Sequence, residues 1–225
     1  SQDKVVKQHY LDEGSGPAVL LLHGNPTWSF YYRDLIKNLV DSGFRCIAVD
    51  HVGCGLSDKP LGYEYTLKRR IEDIDRLISH LNLESFNLVL HDWGGAVGFG
   101  VAEKHVSKIQ KLVVLNSAAF RLDQIPFRIS ILRTPFIGQI LVRVFNVFAW
   151  FALSMAVSKR LPKNVKKGYI LPYNSWKNRV AIWNFVKDIP MDASHPSYKT
   201  LCELESNLKD LVNKKIGLFW GGKDF

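Results

Sequence analysis

Two hydrophobic patterns divide the chain. In the first, short continuous apolar runs alternate with stretches of helical spacing. Ala18–His23 stops at Gly24, and Phe44–Asp50 runs into a turn marked by Gly53 and Gly55. Phe86–Asp92, Lys111–Asn116 and Lys215–Trp220 repeat the theme. Such runs, without polar alternation, fit strands covered on both faces. Between them, Ser29–Leu39, Thr66–Leu81 and Gly94–Lys104 have helical character. In the second of these, Thr66 is the predicted N-cap and Leu67, Ile71, Ile74 and Leu77/Ile78 recur on one face. Strands alternating with helices imply crossovers, hence an α/β fold with a mostly parallel sheet flanked by helices.

The second pattern occupies residues 118–194. It contains no clear strand, and Ile137, Ile140/Leu141, Val144/Phe145 and Phe148 are spaced as in a helix. The predicted organisation is a first core part over 1–117, a helical cap over 118–194 inserted after the fourth buried strand, and a second core part over 195–225. Pro135–Val157 resembles a membrane span in length, but Gln139, Arg143 and Asn146 interrupt it, and an Arg at mid-membrane is costly. An amphipathic cap helix is the expectation there. Ser1–Tyr10 is polar, with Lys4 and Lys7, and has no apolar segment of the signal-peptide kind.

Charge follows the same division. Residues 1–120 carry 13 basic and 14 acidic side chains, whereas 121–199 carry 13 basic and 3 acidic. The formal net charge of +9 therefore resides in the cap. A solvated basic surface is one reading. Attraction to a carboxylate substrate, an acidic partner or a phospholipid surface is the other. Nucleic acid is not expected, since zinc-finger spacing and RNP motifs are absent and the basic residues lie among bulky apolar ones. With 47% hydrophobic residues in 225, the chain can fill a core and is not of the disordered class. Cys46, Cys54 and Cys202 are odd in number and lack CxxC spacing, so neither a disulfide framework nor a zinc site is indicated. A reducing, cytoplasmic setting fits.

Three short motifs carry candidate chemistry. Leu88–Gly95 (LVLHDWGG) is an apolar strand ending in a polar residue before a small-residue helix. This is the strand–turn–helix context of a nucleophile elbow, with Asp92 at the nucleophile position and Leu90 where the usual pattern has a glycine. An Asp capping the next helix is the plainer alternative. His23-Gly24-Asn25-Pro26 follows the first strand. In this context it supplies one backbone N–H of an oxyanion hole and Trp93 the other, unless it is only a Gly-Pro turn. Asp224, closing Phe219–Asp224 (FWGGKD), is placed to orient a catalytic histidine or, more simply, ends a strand in a turn.

Taken together, His23–Trp28 (HGNPTW), Asp50–Pro60 (DHVGCGLSDKP), His91–Gly95 (HDWGG) and Trp220–Asp224 (WGGKD) resemble the haloalkane dehalogenase family of α/β-hydrolases over nearly all of the chain. The resemblance implies Asp92 as nucleophile, Asn25 and the Trp93 indole as holders of the leaving group, and Asp224 as triad acid. It favours Asp224 over the position of Asn116, where another branch has a Glu. Gly53–Pro60, Asn116–Phe120, Pro172–Arg179, Asp188–Met191 and His195–Tyr198 are similar, more closely still, to the β-lactone decarboxylases of bacterial olefin biosynthesis. That likeness implies conversion of long-chain β-lactones to cis-alkenes, with a β-lactone synthetase as partner.

The residue types suit either chemistry. An Asp that attacks an sp³ carbon forms an ester that can be resolved, and donors without charge can receive a departing anion. No metal or organic cofactor is expected, and the substrate is small and hydrophobic. Haloalkane dehalogenation is the alternative, then epoxide hydrolysis, for which Tyr169, Tyr173 and Tyr198 are the available donors. A non-catalytic, partner-binding scaffold is the reading from a different class. The family's histidine follows the acid, and none of the seven histidines does so here. The expectation is therefore that the C-terminal part of the fold lies outside these residues. His23 and His91 are expected to support the site structurally, His195 to be local structure, and the cap to touch a membrane only peripherally.

Overall fold

The computed structural model describes residues 5–122 and 124–224. Ser1–Lys4, Asp123 and Phe225, included in the sequence readings above, lie outside the described residues. Six strands form one sheet: β1 (Tyr10–Glu13), β2 (Ala18–Leu22), β3 (Arg45–Val49), β4 (Phe86–His91), β5 (Ile109–Leu115) and β6 (Lys215–Phe219). Their order is β1-β3-β2-β4-β5-β6. All neighbours are parallel except β1, which pairs antiparallel with β3 through Tyr10↔Val49 to Glu13↔Cys46. β1 is absent from the sequence expectation. Its four half-buried to exposed residues carry no continuous apolar run to announce it.

Alternate residues of the central strands feed opposite layers, which is why the runs read as uniformly apolar. Leu20, Leu22, Ile47, Val49, Leu88 and Leu90 pack against α2 (Leu67–His80), α3 (Trp93–Lys104) and α9 (Tyr198–Asn207). Val19, Leu21, Cys46, Ala48 and Val89 face the other way, toward Tyr32 and Ile36 of the segment leading through α1 (Arg33–Asp41). The stretch expected to be one helix from Ser29 is a 3₁₀ turn, Ser29–Tyr32, that continues into α1. Thr66 caps α2 as expected, its side chain accepting the Arg69 N–H at 3.3 Å.

α1 covers only part of its sheet face. A groove of about 390 Å³ stays open between Leu39 and Phe44 on one side and Val113, Leu115 and Phe219 on the other. β6 is an edge strand, with Leu218 68% and Phe219 60% exposed.

Between β5 and α9 the described residues form only helices: α4 (Phe127–Arg133), α5 (Ile137–Arg143), α6 (Val147–Met155), α7 (Lys163–Ile170) and α8 (Val180–Lys187), with short 3₁₀ turns. The single amphipathic helix expected over Pro135–Val157 does not form. It is broken at Asn146, whose left-handed backbone (φ 53°, ψ 30°) cannot continue a helix. The two halves meet at 68°. Nor is α6 amphipathic: only Ala149 and Leu153 are buried. Arg143 is buried rather than lipid-facing. Its Nε donates to the Trp176 carbonyl at 3.2 Å and its guanidinium stacks 4.1 Å from the Trp176 ring. Arg179 in turn caps α5, donating to the carbonyls of Arg143 and Val144.

Candidate active site

The carboxyl ends of β2, β4, β5 and β6 carry the predicted residues. β4 ends at His91, and Asp92 takes up a positive φ of 51° with ψ −127° before α3 begins. Such a conformation costs a non-glycine residue about 1–3 kcal/mol and persists only where surroundings hold it. Here two close approaches do so. A side chain at Gly94 would meet the Leu22 and His23 backbone, and one at Gly24 would overlap the Asp92 carboxylate itself. The helix therefore sits against β2, and the HGNP loop sits on the nucleophile position.

Asp92 does not cap α3; its side chain makes no cap hydrogen bond there. Instead its Oδ1 accepts the Asn25 backbone N–H at 2.6 Å, and the Trp93 backbone N–H also faces the carboxylate. The two amides expected to form an oxyanion hole thus converge on Asp92. The Asp92 carbonyl is held by Ser117 Oγ at 2.6 Å. Burial pushes the carboxyl above the usual carboxylate range and the charge of Asp224 adds to this; His91 and the Asn25 and Trp93 amides oppose it.

Asn25 lies beside Asp92, after Gly24 and before a cis peptide to Pro26. Its Nδ2 donates to the Ile182 carbonyl of α8 at 3.0 Å, and that bond uses one of two amide hydrogens. The Trp93 indole packs against Phe185 of α8, rings 5.5 Å apart, with the Arg70 guanidinium 5.2 Å away. Asn25 and Trp93 therefore stand at the seam between sheet and helical insert.

At the end of β5, Asn116 ties the neighbouring edge together. Its N–H donates to the Phe219 carbonyl at 3.1 Å, its Oδ1 accepts the Gly221 N–H, and its Nδ2 donates to Asp224 Oδ2 at 2.5 Å. Asp224 is exposed, yet its charge reaches both Asp92 and His91.

Hydrogen bonds fix the tautomers of His23 and His51. His23 Nδ1 lies 2.7 Å from the Gly24 carbonyl and so carries the proton, while Nε2 accepts the His51 N–H. With both nitrogens committed and burial driving its pKa down, His23 holds loops together and is not poised as a base. His51 donates from Nε2 to the His23 carbonyl. His91 stacks on Tyr31 at 4.2 Å, its Nδ1 is buried without a partner, and burial lowers its pKa. His195 bridges the Lys187 carbonyl and the Ser197 N–H, a local turn.

Two of the three tyrosines available for epoxide chemistry have hydroxyls engaged elsewhere. Tyr173 OH donates to the Thr27 carbonyl at 3.1 Å and Tyr169 OH accepts from Arg33. Among the described residues no group of His, Cys, Asp and Glu could hold a metal ion.

Sequence reading missed one cluster. Arg70, 2% exposed, donates to Asp188 Oδ2 at 2.6 Å; Ser197 Oγ donates to Asp188 Oδ1 at 2.6 Å and accepts the Leu67 N–H. The same guanidinium lies 3.8 Å from the Phe185 ring. A signal existed: Arg70 occupies the apolar stripe of α2 between Leu67 and Ile71, and a charge there needs a buried partner. The Asp188–Met191 and His195–Tyr198 motifs supply it.

Residues 17–159 match the family described as the α/β hydrolase fold. The chain belongs to that family. It is 42% identical over 226 residues to a cis-3-alkyl-4-alkyloxetan-2-one decarboxylase of Shewanella oneidensis, covering 97% of this chain and 71% of that protein. A protein of the same name from Xanthomonas campestris pv. campestris is 38% identical, covering 97% of this chain and 77% of its own length. Among solved structures, the haloalkane dehalogenase DatA of Agrobacterium tumefaciens superposes with a TM-score of 0.84 at 28% identity, over 95% of this chain and 75% of that one. Enzymes of the α/β hydrolase family are thus the chain's relatives in sequence and in shape.

Proposed function

We propose that this α/β hydrolase decarboxylates cis-3,4-dialkyl β-lactones, releasing a cis-alkene and carbon dioxide. What carries the reading is likeness along nearly the whole chain to two oxetanone decarboxylases, joined to a carboxylate held where such a ring can be opened. Asp92 is the nucleophile. With one oxygen held by backbone amides, the other attacks ring carbon C4, forming the Asp92 ester and breaking the C4–O1 bond. The ring oxygen leaves as a carboxylate, received by the Asn25 side-chain amide and the Trp93 indole, which carry no charge of their own. The C2–C3 bond then breaks, its electron pair forms the C3–C4 double bond, and the C4–O bond returns its pair to Asp92. Inversion followed by anti elimination preserves the cis geometry. No water and no redox partner enter the balance. Asp224 orients a histidine in an Asp-His-Asp arrangement, and the helical insert caps the alkyl chains.

The likeness to DatA supports a second reading, haloalkane dehalogenation, in which water must release the Asp92 ester. Incubation with a cis-3,4-dialkyl oxetan-2-one, and separately with 1-iodobutane, in ¹⁸O-water separates the two. The expected result is cis-alkene and carbon dioxide from the lactone. Iodide together with ¹⁸O-butanol, and no alkene, would sink the decarboxylase reading.

A further inference from the structure

From Gln124 to Lys187 the chain has no Asp or Glu and eleven Lys and Arg. In the structure this basic segment also exposes large apolar side chains: Phe136 is 79% exposed, Phe145 62%, Phe151 57%, Met155 56% and Trp150 53%. They are not scattered. Phe145 stands at the 68° bend where α5 meets α6, and Trp150, Phe151 and Met155 follow on α6. α7, packed beside α6, has no buried residue. Between them runs a groove of about 400 Å³, walled by Trp150, Ile170 and Leu171 and edged by Lys163, Lys166 and Lys167.

We infer that this α5–α7 face docks on the surface of a phospholipid bilayer containing anionic lipid, with its aromatic side chains inserted and its lysines at the headgroups. Charge complementarity favours that occupant, because a basic surface with no acid within 64 consecutive residues is attracted to an anionic leaflet. The arrangement of side chains agrees. Trp sits at headgroup depth, and lysines bury their stems while keeping the ammonium in water. The core of a protein–protein interface is depleted in lysine, which disfavours a protein partner on the same groove. No single described helix is long and apolar enough to cross a membrane; α5 and α6 reach that length and apolarity only as a pair bent by 68°, and the lysines of α7 beside them keep this face at headgroup depth. The inference rests on this outer surface alone and holds whichever substrate Asp92 attacks.

Vesicle flotation tests it, with the full-length protein and vesicles of phosphatidylcholine alone or with about one-third phosphatidylglycerol. The protein is expected to float with the anionic vesicles and remain below with the neutral ones. Raising salt to about 0.5 M should weaken binding several-fold. Lys163→Gln, Lys166→Gln and Lys167→Gln together should weaken it about a hundredfold. Phe145→Ala with Phe151→Ser should weaken it about tenfold or more. These side chains are exposed, so melting curves unchanged from wild type verify folding. Wild-type protein that stays below with anionic vesicles overturns the inference. So does equal binding to both vesicle types that the lysine substitutions leave unchanged. Concentration-dependent dimerisation in light scattering without vesicle binding would assign the face to a second copy instead, and also overturns it.

Discussion

The loops at the carboxyl edge of the sheet and the helical insert above them are built on opposite terms. Around Asp92, polar backbone is held by named partners: Asn25 N–H on the carboxylate, Ser117 on the Asp92 carbonyl, His23 locked between Gly24 and His51. Glycines bring chain segments too close for any other residue. The insert instead uses helices of seven to nine residues, and all but α8 bury three residues or fewer. It meets the sheet through few anchors, chiefly Tyr173 on Thr27, Ile182 on Asn25, and Phe185 under Trp93 and Arg70. The first region fixes backbone positions closely, and the second exposes much of its side-chain surface. The physical difference is the scaffold, since a strand end paired on both sides has little freedom, whereas a short helix is fixed only by what it buries.

The largest test of that contrast is Asp92→Asn. Turnover should fall at least about a thousandfold, because the amide cannot act as a nucleophile. Stability should not fall with it. The pKa of Asp92 is raised in the fold, so its ionised form costs stability at any pH above both folded and unfolded values. The variant should therefore match or exceed the wild-type melting temperature at neutral pH, and the difference should vanish on acidification. A melting temperature well below wild type would mean that Asp92 is structural. Intact mass must accompany the assay, because deamidation restores Asp.

Next in size is the seam. Arg70→Ala leaves Asp188 buried with Ser197 alone, at a cost of about 3–5 kcal/mol in denaturant unfolding. Burial already raises the pKa of Asp188 despite Arg70, so without the guanidinium the loss should shrink as pH falls and Asp188 takes up a proton. A loss that is small and independent of pH would show that the pair does not join insert to core.

Leu88→Ala and Phe151→Ser compare the regions directly. Leu88 is fully buried in the sheet, and its truncation should cost about 2–5 kcal/mol. Phe151 is exposed, and its change should stay within about 0.5 kcal/mol. Comparable losses would mean that Phe151 is packed in the fold and not presented to solvent.

The smallest effect is on pH dependence. Activity should decline on the acid side as Asp92 protonates, with a midpoint above the ordinary carboxylate value. Because the charge of Asp224 contributes to the raised pKa, Asp224→Asn should move that midpoint to lower pH, whatever it does to the maximal rate. A midpoint that stays in place in the variant would place Asp224 outside the electrostatics of the site.

Much of this molecule was legible in its residues. Uniformly apolar runs from Ala18 and Leu88 specify strands covered on both faces, because alternate side chains must leave in opposite directions. Strand-to-helix turns with glycine at close approaches specify where Asp92 and the HGNP loop stand, since those contacts are local or follow from parallel pairing of β2 with β4. Tertiary structure decided what local pattern cannot encode. β1 is held only by β3, so nothing in its own four residues marks it. The continuous apolar spacing of Pro135–Val157 suggested one helix, but Asn146 in a left-handed conformation makes it two. Whether Asp92 caps a helix or receives amides depended on Asn25, 67 residues away. The role of Arg70 waited on Asp188, 118 residues away, because a buried charge is defined by the partner that neutralises it.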